Sequence, residues 1–173
     1  MFRSVDLYKE MKIPGKLLLH SMPARYESWD EFETHIVSNK VNVIVCLAPI
    51  AEIERKSPLY ANAIKNEQLP CGKIDYPIQD FSVPADKYEF SEFVRSVANR
   101  IQEGETVLIH CAGGIGRTGT VAICVLQELG FENGEAFDLI RKAGSESETQ
   151  EQSNLVLWHE KNLEKKAGTV PDK

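Results

Sequence analysis

Short apolar runs alternate with longer amphipathic stretches along this chain of 173 residues. The runs at residues 41–47 and 105–110 are rich in valine, isoleucine and leucine, which is typical of strands buried on both faces of a parallel sheet. A Pro-Gly turn signal at Pro14 predicts a hairpin between two further strands near the start of the chain. Strands are therefore predicted at residues 4–11, 16–21, 41–47, 73–76 and 105–110.

The stretches between these runs carry apolar residues at the spacing of helices that pack one face on a core. Residues 118–129 are apolar nearly all round, so this helix is predicted to be central and buried. Ser28 and Asn133 are expected to cap helices, and Tyr88 is expected on the apolar face of another. Helices are predicted at residues 29–39, from Pro49, from Pro58 to about residue 68, from Pro84 to residue 103, and at 118–129, 134–143 and 149–165.

Strands that alternate with helices predict an α/β fold with a central, mostly parallel sheet of four or five strands flanked by helices. We expect one domain over residues 1–166 and a disordered tail over residues 167–173. The net charge of −6 gives no electrostatic footprint for nucleic acid or an acidic membrane, so neither partner is expected, and a monomer is predicted. The chain has no apolar run of transmembrane length and no signal-peptide core, which indicates a cytoplasmic protein.

The candidate chemistry lies in the loop between the last predicted strand and the buried helix. From His110 to Gly119 it is His-Cys-Ala-Gly-Gly-Ile-Gly-Arg-Thr-Gly. In open α/β sheets, ligands bind where a strand's carboxyl end meets a helix's amino end, and the first helical amides there are unpaired and electropositive. The glycines are expected to adopt left-handed angles that let successive amides curl around an anion. The predicted anion cradle consists of Ala112, Gly113, Gly114, Ile115 and Gly116.

Four side chains of this loop have roles that follow from their chemistry. Helix amino termini stabilise thiolates, so Cys111 is expected to be ionised at neutral pH and to act as a nucleophile. Arg117 offers a planar fork that matches two phosphate oxygens. The Thr118 hydroxyl is expected to donate a hydrogen bond to the sulfur and to help it leave from a phosphocysteine. His110 faces away from the pocket if the strand alternates, and we expect it to orient the loop from behind.

This decamer resembles the signature of the cysteine-dependent protein tyrosine phosphatases. Residues 76–84 resemble the mobile general-acid loop of that family, residues 148–152 resemble its glutamine loop, and residues 17–23 resemble the first strand of its small dual-specificity members. The likeness covers roughly residues 10–165 and is strongest to compact bacterial, archaeal and kinase-associated enzymes.

The resemblance implies a phosphocysteine mechanism that needs neither a cofactor nor a metal ion. Asp80 would act first as the acid for the leaving group and then as the base for the hydrolytic water. A turn or capping role for Asp80, and an acid role for Asp75, are the alternatives. Gln152 matches the last glutamine of the glutamine loop, which positions the water. Glu148 stands in place of the first glutamine, either near the phosphoenzyme, which it would repel, or as a cap of the last helix.

The resemblance also implies a phosphoprotein phosphatase acting on phosphotyrosine and on phosphoserine or phosphothreonine. Phosphoinositides or other small phosphomonoesters are alternative substrates, but phosphoinositide phosphatases usually carry lysine in the loop, where this chain has Ala112 and Ile115. Low-molecular-weight phosphatases and arsenate reductases carry the loop at the extreme amino terminus, and rhodanese-like proteins lack a matching acid loop. A non-enzymatic pseudophosphatase usually lacks the cysteine, the arginine or the acid, and all three are present here.

The four cysteines, Cys46, Cys71, Cys111 and Cys124, show no metal-ligand spacing. A functional thiolate at Cys111 needs a reducing compartment, which agrees with the cytoplasm. The position of Cys46 resembles that of the resolving cysteine in several dual-specificity and lipid phosphatases, so a reversible Cys46–Cys111 disulfide is predicted. Core packing of Cys46 is the alternative, and Cys124 is expected to lie too far along its helix to compete.

Overall fold

The computed structural model describes residues 1–5, 7 and 12–168, with side chains through residue 165. Its strands are β1 (Arg3–Val5), β2 (Lys16–His20), β3 (Val43–Cys46), β4 (Gly72–Asp75) and β5 (Thr106–His110). Its helices are α1 (Trp29–Ser38), α2 (Ile50–Lys56), α3 (Pro58–Lys65), α4 (Lys87–Gln102), α5 (Gly116–Glu128), α6 (Asn133–Lys142) and α7 (Gln150–Gly168). Within this part of the chain, seven helices flank one five-stranded sheet, which confirms the predicted α/β class.

The sheet has the strand order β1-β2-β5-β3-β4, and every pair except β1–β2 is parallel. β5 therefore lies at the centre, between β2 and β3. In the register of these pairs, His110 lies beside His20 on one side and beside Cys46 on the other. The carboxyl ends of the three central strands are level, so the segments that follow them meet at one edge of the sheet.

The residues of β5 are buried on both faces and alternate between two apolar layers, as its unbroken apolar pattern predicts. Val107 and Ile109 belong to the larger layer with α4 and α5, whereas Leu108 packs against α1. Every residue of α5 from Gly116 to Gln127 is buried, so the prediction of a central helix is confirmed. This burial holds the first turn of α5 at the carboxyl edge of the sheet.

Side-chain caps set the starts of two helices. The Ser28 hydroxyl accepts a hydrogen bond from Glu31 N and the Glu31 carboxylate accepts one from Ser28 N, so the predicted cap of α1 is confirmed. α4 begins after Asp86 and not at Pro84, because the Asp86 carboxylate accepts hydrogen bonds from two amides of the first turn. Tyr88 lies in that first turn with an exposed ring, so its predicted place on the apolar face is wrong.

Other differences from the sequence-based expectations lie at the ends of elements. Asn133 is the first residue of α6 instead of its cap, and its side chain accepts a hydrogen bond from Gln127 Nε2. β1 pairs antiparallel with β2 as the predicted hairpin requires. Of the strand predicted at residues 4–11, residues 6 and 8–11 lie outside the described part of the chain. α7 continues through Gly168, and the rest of the predicted tail also lies outside the described residues.

Candidate active site

The loop between β5 and α5 forms a backbone cradle around the Cys111 sulfur. α5 begins at Gly116, two residues earlier than predicted, which places Arg117 in the first helical turn. The residue before the helix, Ile115, provides no side-chain cap, so the first amides remain available to an anion. Gly114 N donates a hydrogen bond to Cys111 Sγ at 3.2 Å, and the cysteine is 3% exposed. The sulfur is thus bound by an amide of the loop, two residues before the first amide of α5.

Gly114 is the glycine on which the turn of the loop depends. Its φ is +73°, and a Cβ at this position would collide with the carbonyl oxygen of His20. Gly113 and Gly116 do not have positive φ angles, so the prediction of left-handed angles for them is wrong. Gly113 faces open space, whereas a Cβ on Gly116 would collide with the Glu148 carboxylate. One left-handed residue is therefore enough to turn the backbone.

Two side chains from distant parts of the chain hold the Gly114 carbonyl from outside the cradle. Arg3 Nη2 donates to Gly114 O at 2.5 Å while Arg3 Nη1 donates to Gly144 O at 2.5 Å. Ser145 Oγ donates to Gly114 O at 2.6 Å. The sequence-based predictions missed both Arg3 and Ser145. Because the carbonyl is bound on the outside, its negative end does not oppose an anion inside the cradle.

Arg117 is almost fully buried, with 2% of its surface exposed, and both terminal nitrogens are engaged. Nη1 donates to Glu52 Oε2 at 2.8 Å and to Ile78 O at 2.9 Å. Nη2 donates to Glu52 Oε1 at 3.2 Å and to Asp80 Oδ1 at 2.8 Å. Burial by itself would lower the pKa of Arg117, but the bonds to Glu52 together with the nearby charges of Cys111 and Asp80 outweigh it and raise the pKa. The guanidinium is a fixed cation at the end of the loop.

Glu52, in α2, is a site residue that the sequence-based predictions missed. Its carboxylate makes a two-point contact with Arg117, and Lys56 Nζ donates to Glu52 Oε1 at 2.6 Å. Burial would raise the pKa of Glu52, whereas hydrogen bonds from Arg117 and Lys56 lower it to about 2. One feature of the sequence could have indicated Glu52. α2 follows β3 closely, so it begins at the same sheet edge as the cradle.

Asp80 lies on the loop after β4, and its side chain is 48% exposed. Oδ1 lies 2.8 Å from Arg117 Nη2, and Oδ2 lies 3.8 Å from Lys56 Nζ. Asp75 lies within β4 and pairs with a lysine of the same strand. The capping position before α4 belongs to Asp86. The structure therefore brings Asp80, and not Asp75, next to the cation of the loop.

His110 lies behind the loop, fully buried. Its Nδ1 donates to Cys111 O at 3.0 Å and its Nε2 accepts a hydrogen bond from the Tyr60 hydroxyl at 3.0 Å. Burial lowers the pKa of His110 to about 4, so the ring is neutral at neutral pH. This geometry fits a residue that orients the loop.

The predicted bond from Thr118 to the sulfur is not made. Thr118 Oγ1 is buried and has no hydrogen-bond partner among the described residues, and the bond to Cys111 Sγ comes from Gly114 N. The Thr118 hydroxyl is therefore, with the first helical amides, still free to form a hydrogen bond.

Gln152 joins the acid loop to the segment before α7. Its Oε1 accepts a hydrogen bond from Glu148 N at 2.8 Å, and its Nε2 donates to Ser82 O at 3.3 Å. Thr149 Oγ1 accepts a hydrogen bond from Gln152 N at 3.2 Å, so Thr149 caps α7 in place of Glu148. The Glu148 carboxylate lies instead against Gly116. The structure thus brings both predicted supporting residues to the edge of the cradle.

All four cysteines are free thiols. Cys46 is buried, and its Sγ donates to Ala48 O at 3.6 Å. Burial raises the pKa of Cys46 to about 11 and also raises the pKa of Cys124. In the sheet, Cys46 lies beside His110, the residue before Cys111, so the disulfide would join the ends of adjacent strands. It stays a prediction.

Neither a metal cluster nor a membrane-spanning helix is found in the described structure. Among residues 1–5, 7 and 12–168, His, Cys, Asp and Glu side chains do not come together in threes as metal ligands would. None of the helices described above is both long and apolar enough to cross a membrane.

Comparisons of the sequence with known proteins give one family. A family model for the Swiss Army Knife protein DSP-PTPase phosphatase domain matches residues 10–165. Over 84 residues the chain is 40% identical to human tyrosine-protein phosphatase non-receptor type 4. That alignment covers 44% of this chain but 9% of the human protein, so the chain matches a small part of that relative's length.

Solved structures share the fold. Kinase associated phosphatase, with its catalytic cysteine replaced by serine, has a TM-score of 0.77 at 18% identity and covers 99% of this chain and 97% of its own. Tk-PTP in its active form has a TM-score of 0.69 at 26% identity, with 92% and 96% covered. PTPMT1 in complex with PI(5)P has a TM-score of 0.68 at 16% identity, with 87% and 94% covered. At 18% and 16% identity, the first and third likenesses concern the fold alone.

Proposed function

This chain belongs to the Swiss Army Knife group of dual-specificity-type protein tyrosine phosphatases, and on that premise we propose that it hydrolyses phosphotyrosine, phosphoserine and phosphothreonine esters in proteins through a phosphocysteine at Cys111. The observation that carries the proposal is the Cys111 sulfur inside the amide cradle, 3.2 Å from Gly114 N, with Arg117 and Asp80 at the same sheet edge. This placement supplies a nucleophile, an anion site and an acid in one crevice.

In the first step, Cys111 Sγ attacks phosphorus in line, and the loop amides and Arg117 bind the non-bridging oxygens. In the free protein Arg117 Nη2 donates a hydrogen bond to Asp80. A phosphate oxygen of the substrate accepts this hydrogen bond instead and so releases the Asp80 carboxylate. The released Asp80 carboxylate takes up a proton from solvent as the substrate binds. It then gives this proton to the leaving oxygen as the phosphorus–oxygen bond breaks and the phosphorus–sulfur bond forms. Glu52 keeps its two-point contact and holds the guanidinium plane in place.

In the second step, Asp80 takes a proton from a water molecule that attacks the phosphocysteine, and inorganic phosphate and the thiolate are released. Gln152 supports this step, because its contact with Ser82 O ties the acid loop to the segment that carries Glu148. Thr118 Oγ1, which has no partner among the described residues, reaches the sulfur by a turn of the Thr118 side chain and donates to it as negative charge returns there. That hydrogen bond stabilises the leaving thiolate.

A phosphoinositide is the second candidate substrate, and one observation favours it. The chain shares its fold with PTPMT1, whose structure was solved with PI(5)P. The loop, however, has Ala112 and Ile115 at its variable positions and no lysine to bind a second phosphate. The matched human relative is named as a tyrosine-protein phosphatase, so we retain proteins as the substrate class.

The test uses the purified protein and its Cys111→Ser variant on p-nitrophenyl phosphate, on phosphotyrosine and phosphothreonine peptides, and on PI(5)P in vesicles. We expect the wild type to hydrolyse p-nitrophenyl phosphate and the peptides, and the variant to retain less than about 1% of that activity while it still binds vanadate. Higher residual activity would remove Cys111 as the nucleophile. A strong preference for PI(5)P over both peptides would overturn the choice of protein substrates.

A further inference from the structure

The connection between α6 and α7 lies along the catalytic loop and the first turn of α5. Residues 145–148 form this part of it, which we call the flanking segment. Its contacts are Ser145 Oγ to Gly114 O at 2.6 Å, Ser147 Oγ to Thr120 Oγ1 at 3.2 Å, and the backbone of Glu146 against Gly119. Because these contacts hold the segment along its length, the backbone of Glu148 has a fixed position beside the cradle.

The Glu148 carboxylate lies against Gly116, the first residue of α5, where a Cβ would collide with Glu148 Oε2. The backbone of Glu148 is held as well, because its N–H donates to Gln152 Oε1 at 2.8 Å. Within the described residues, the Glu148 carboxylate forms neither an ion pair nor a hydrogen bond, and the residue is exposed. A negative charge therefore stands, without a neutralising cation, at the helix end where phosphate would bind.

Apart from Arg3, whose guanidinium binds Gly114 O from outside the cradle, the other charges described at this edge balance one another. Arg117 is paired with Glu52 and with Asp80, and Lys56 is paired with Glu52. The cradle consequently attracts phosphate through its backbone amides and the positive end of the α5 dipole as much as through a net positive charge. A carboxylate at Glu148 opposes that attraction directly.

We propose that Glu148 lowers the affinity of the cradle for phosphate and so speeds the release of inorganic phosphate. The role of Glu148 in turnover rests on the proposed function, whereas its effect on anion affinity follows from charge and position alone. Because the carboxylate is exposed, solvent weakens its field, and its removal should tighten phosphate binding by about fivefold at low salt. The gain should shrink as salt screens the charge.

The test compares Glu148→Gln with Glu146→Gln. Both substitutions remove one negative charge from the flanking segment, but only the Glu148 side chain touches the cradle; Glu146 is exposed. Inorganic phosphate is titrated into each protein by calorimetry and is also used as a competitive inhibitor of p-nitrophenyl phosphate hydrolysis. We expect the Kd and the inhibition constant to fall by about fivefold in Glu148→Gln at low salt and to stay near the wild-type values in Glu146→Gln.

An unchanged Kd in Glu148→Gln, or an equal change in both variants, would overturn the proposal. A lower kcat with accumulation of the phosphocysteine in Glu148→Gln would overturn it too, because Glu148 would then act on the hydrolytic water. Calorimetry measures anion affinity without turnover, so the two proposals can fail separately. A protein that binds phosphate but hydrolyses none of the substrates refutes the proposed function, while the comparison of the two variants still decides the role of Glu148.

Discussion

The anchoring of Arg117 by Glu52 can be tested with Glu52→Gln, which keeps the shape of the side chain and removes its charge. The carboxylate lies 2.8 and 3.2 Å from the guanidinium nitrogens and 2.6 Å from Lys56 Nζ. These contacts lower the pKa of Glu52 from 4.5 to about 2. Each pKa unit corresponds to about 1.4 kcal/mol, so the charge of Glu52 contributes at most about 3 kcal/mol to the free energy of unfolding. Solvent near Lys56 weakens the interaction, and we expect Glu52→Gln to lower the free energy of unfolding by about 2 kcal/mol.

Thermal unfolding followed by circular dichroism measures this loss, and we expect Tm at pH 7 to fall by roughly 4–8 °C. The stabilisation by Glu52 is present above its unfolded pKa of 4.5 and is lost as the pH falls towards about 2, so the two proteins should converge in stability below pH 4.5. Because Arg117 loses its alignment, kcat/KM should also fall by about tenfold. Glu54→Gln, at an exposed position of the same helix, is the control. Equal Tm values at pH 7, or a difference that persists unchanged at pH 3, would refute this reasoning.

Three further outcomes are expected. Asp80→Asn should slow substrates with poor leaving groups far more than p-nitrophenyl phosphate and should flatten the basic limb of the pH–rate profile, and the same signature in Asp75→Asn alone would move the acid role to Asp75. Arg117→Lys should reduce kcat/KM by at least about a hundredfold, since a point charge cannot replace the two-point fork; near-normal kinetics would contradict that role. Mild peroxide should produce a reversible Cys46–Cys111 disulfide detectable by peptide mapping, whereas full alkylation of Cys46 beside sulfinic acid at Cys111 would exclude it.

The parts of the site that could be predicted from the sequence are those with a local signal. The decamer from His110 to Gly119 holds the proposed nucleophile, the amides and the cation within one strand–helix junction. The unbroken apolar patterns of β5 and α5 identify both elements as buried, which places their junction at a sheet edge. Asp80 could be named as the candidate acid because its flanking residues resemble the acid loop of the family.

The parts that could not be predicted arise where distant segments meet. Arg3 and Ser145 both bind Gly114 O, and Glu52 binds Arg117, but no local pattern marks a lone arginine, serine or glutamate for such a partner. The sequence pattern places the start of α4 at Pro84, three residues too early, for a related reason. A proline and a nearby aspartate both favour a helix start, and the hydrogen bonds of the aspartate carboxylate decided between them.

The central position of β5 has a consequence for biosynthesis. Its neighbours β2 and β3 come from the first third of the chain, while Ser145 and Gln152, which support the catalytic loop and its surroundings, come from the last third. Pairings of such high contact order form slowly and only after distant segments are available. A nascent chain whose Cys111 has just left the ribosome therefore has an incomplete anion pocket. The pocket is complete only once Gln152 and the start of α7 have left the ribosome, so translation intermediates that lack these residues are expected to have little phosphatase activity.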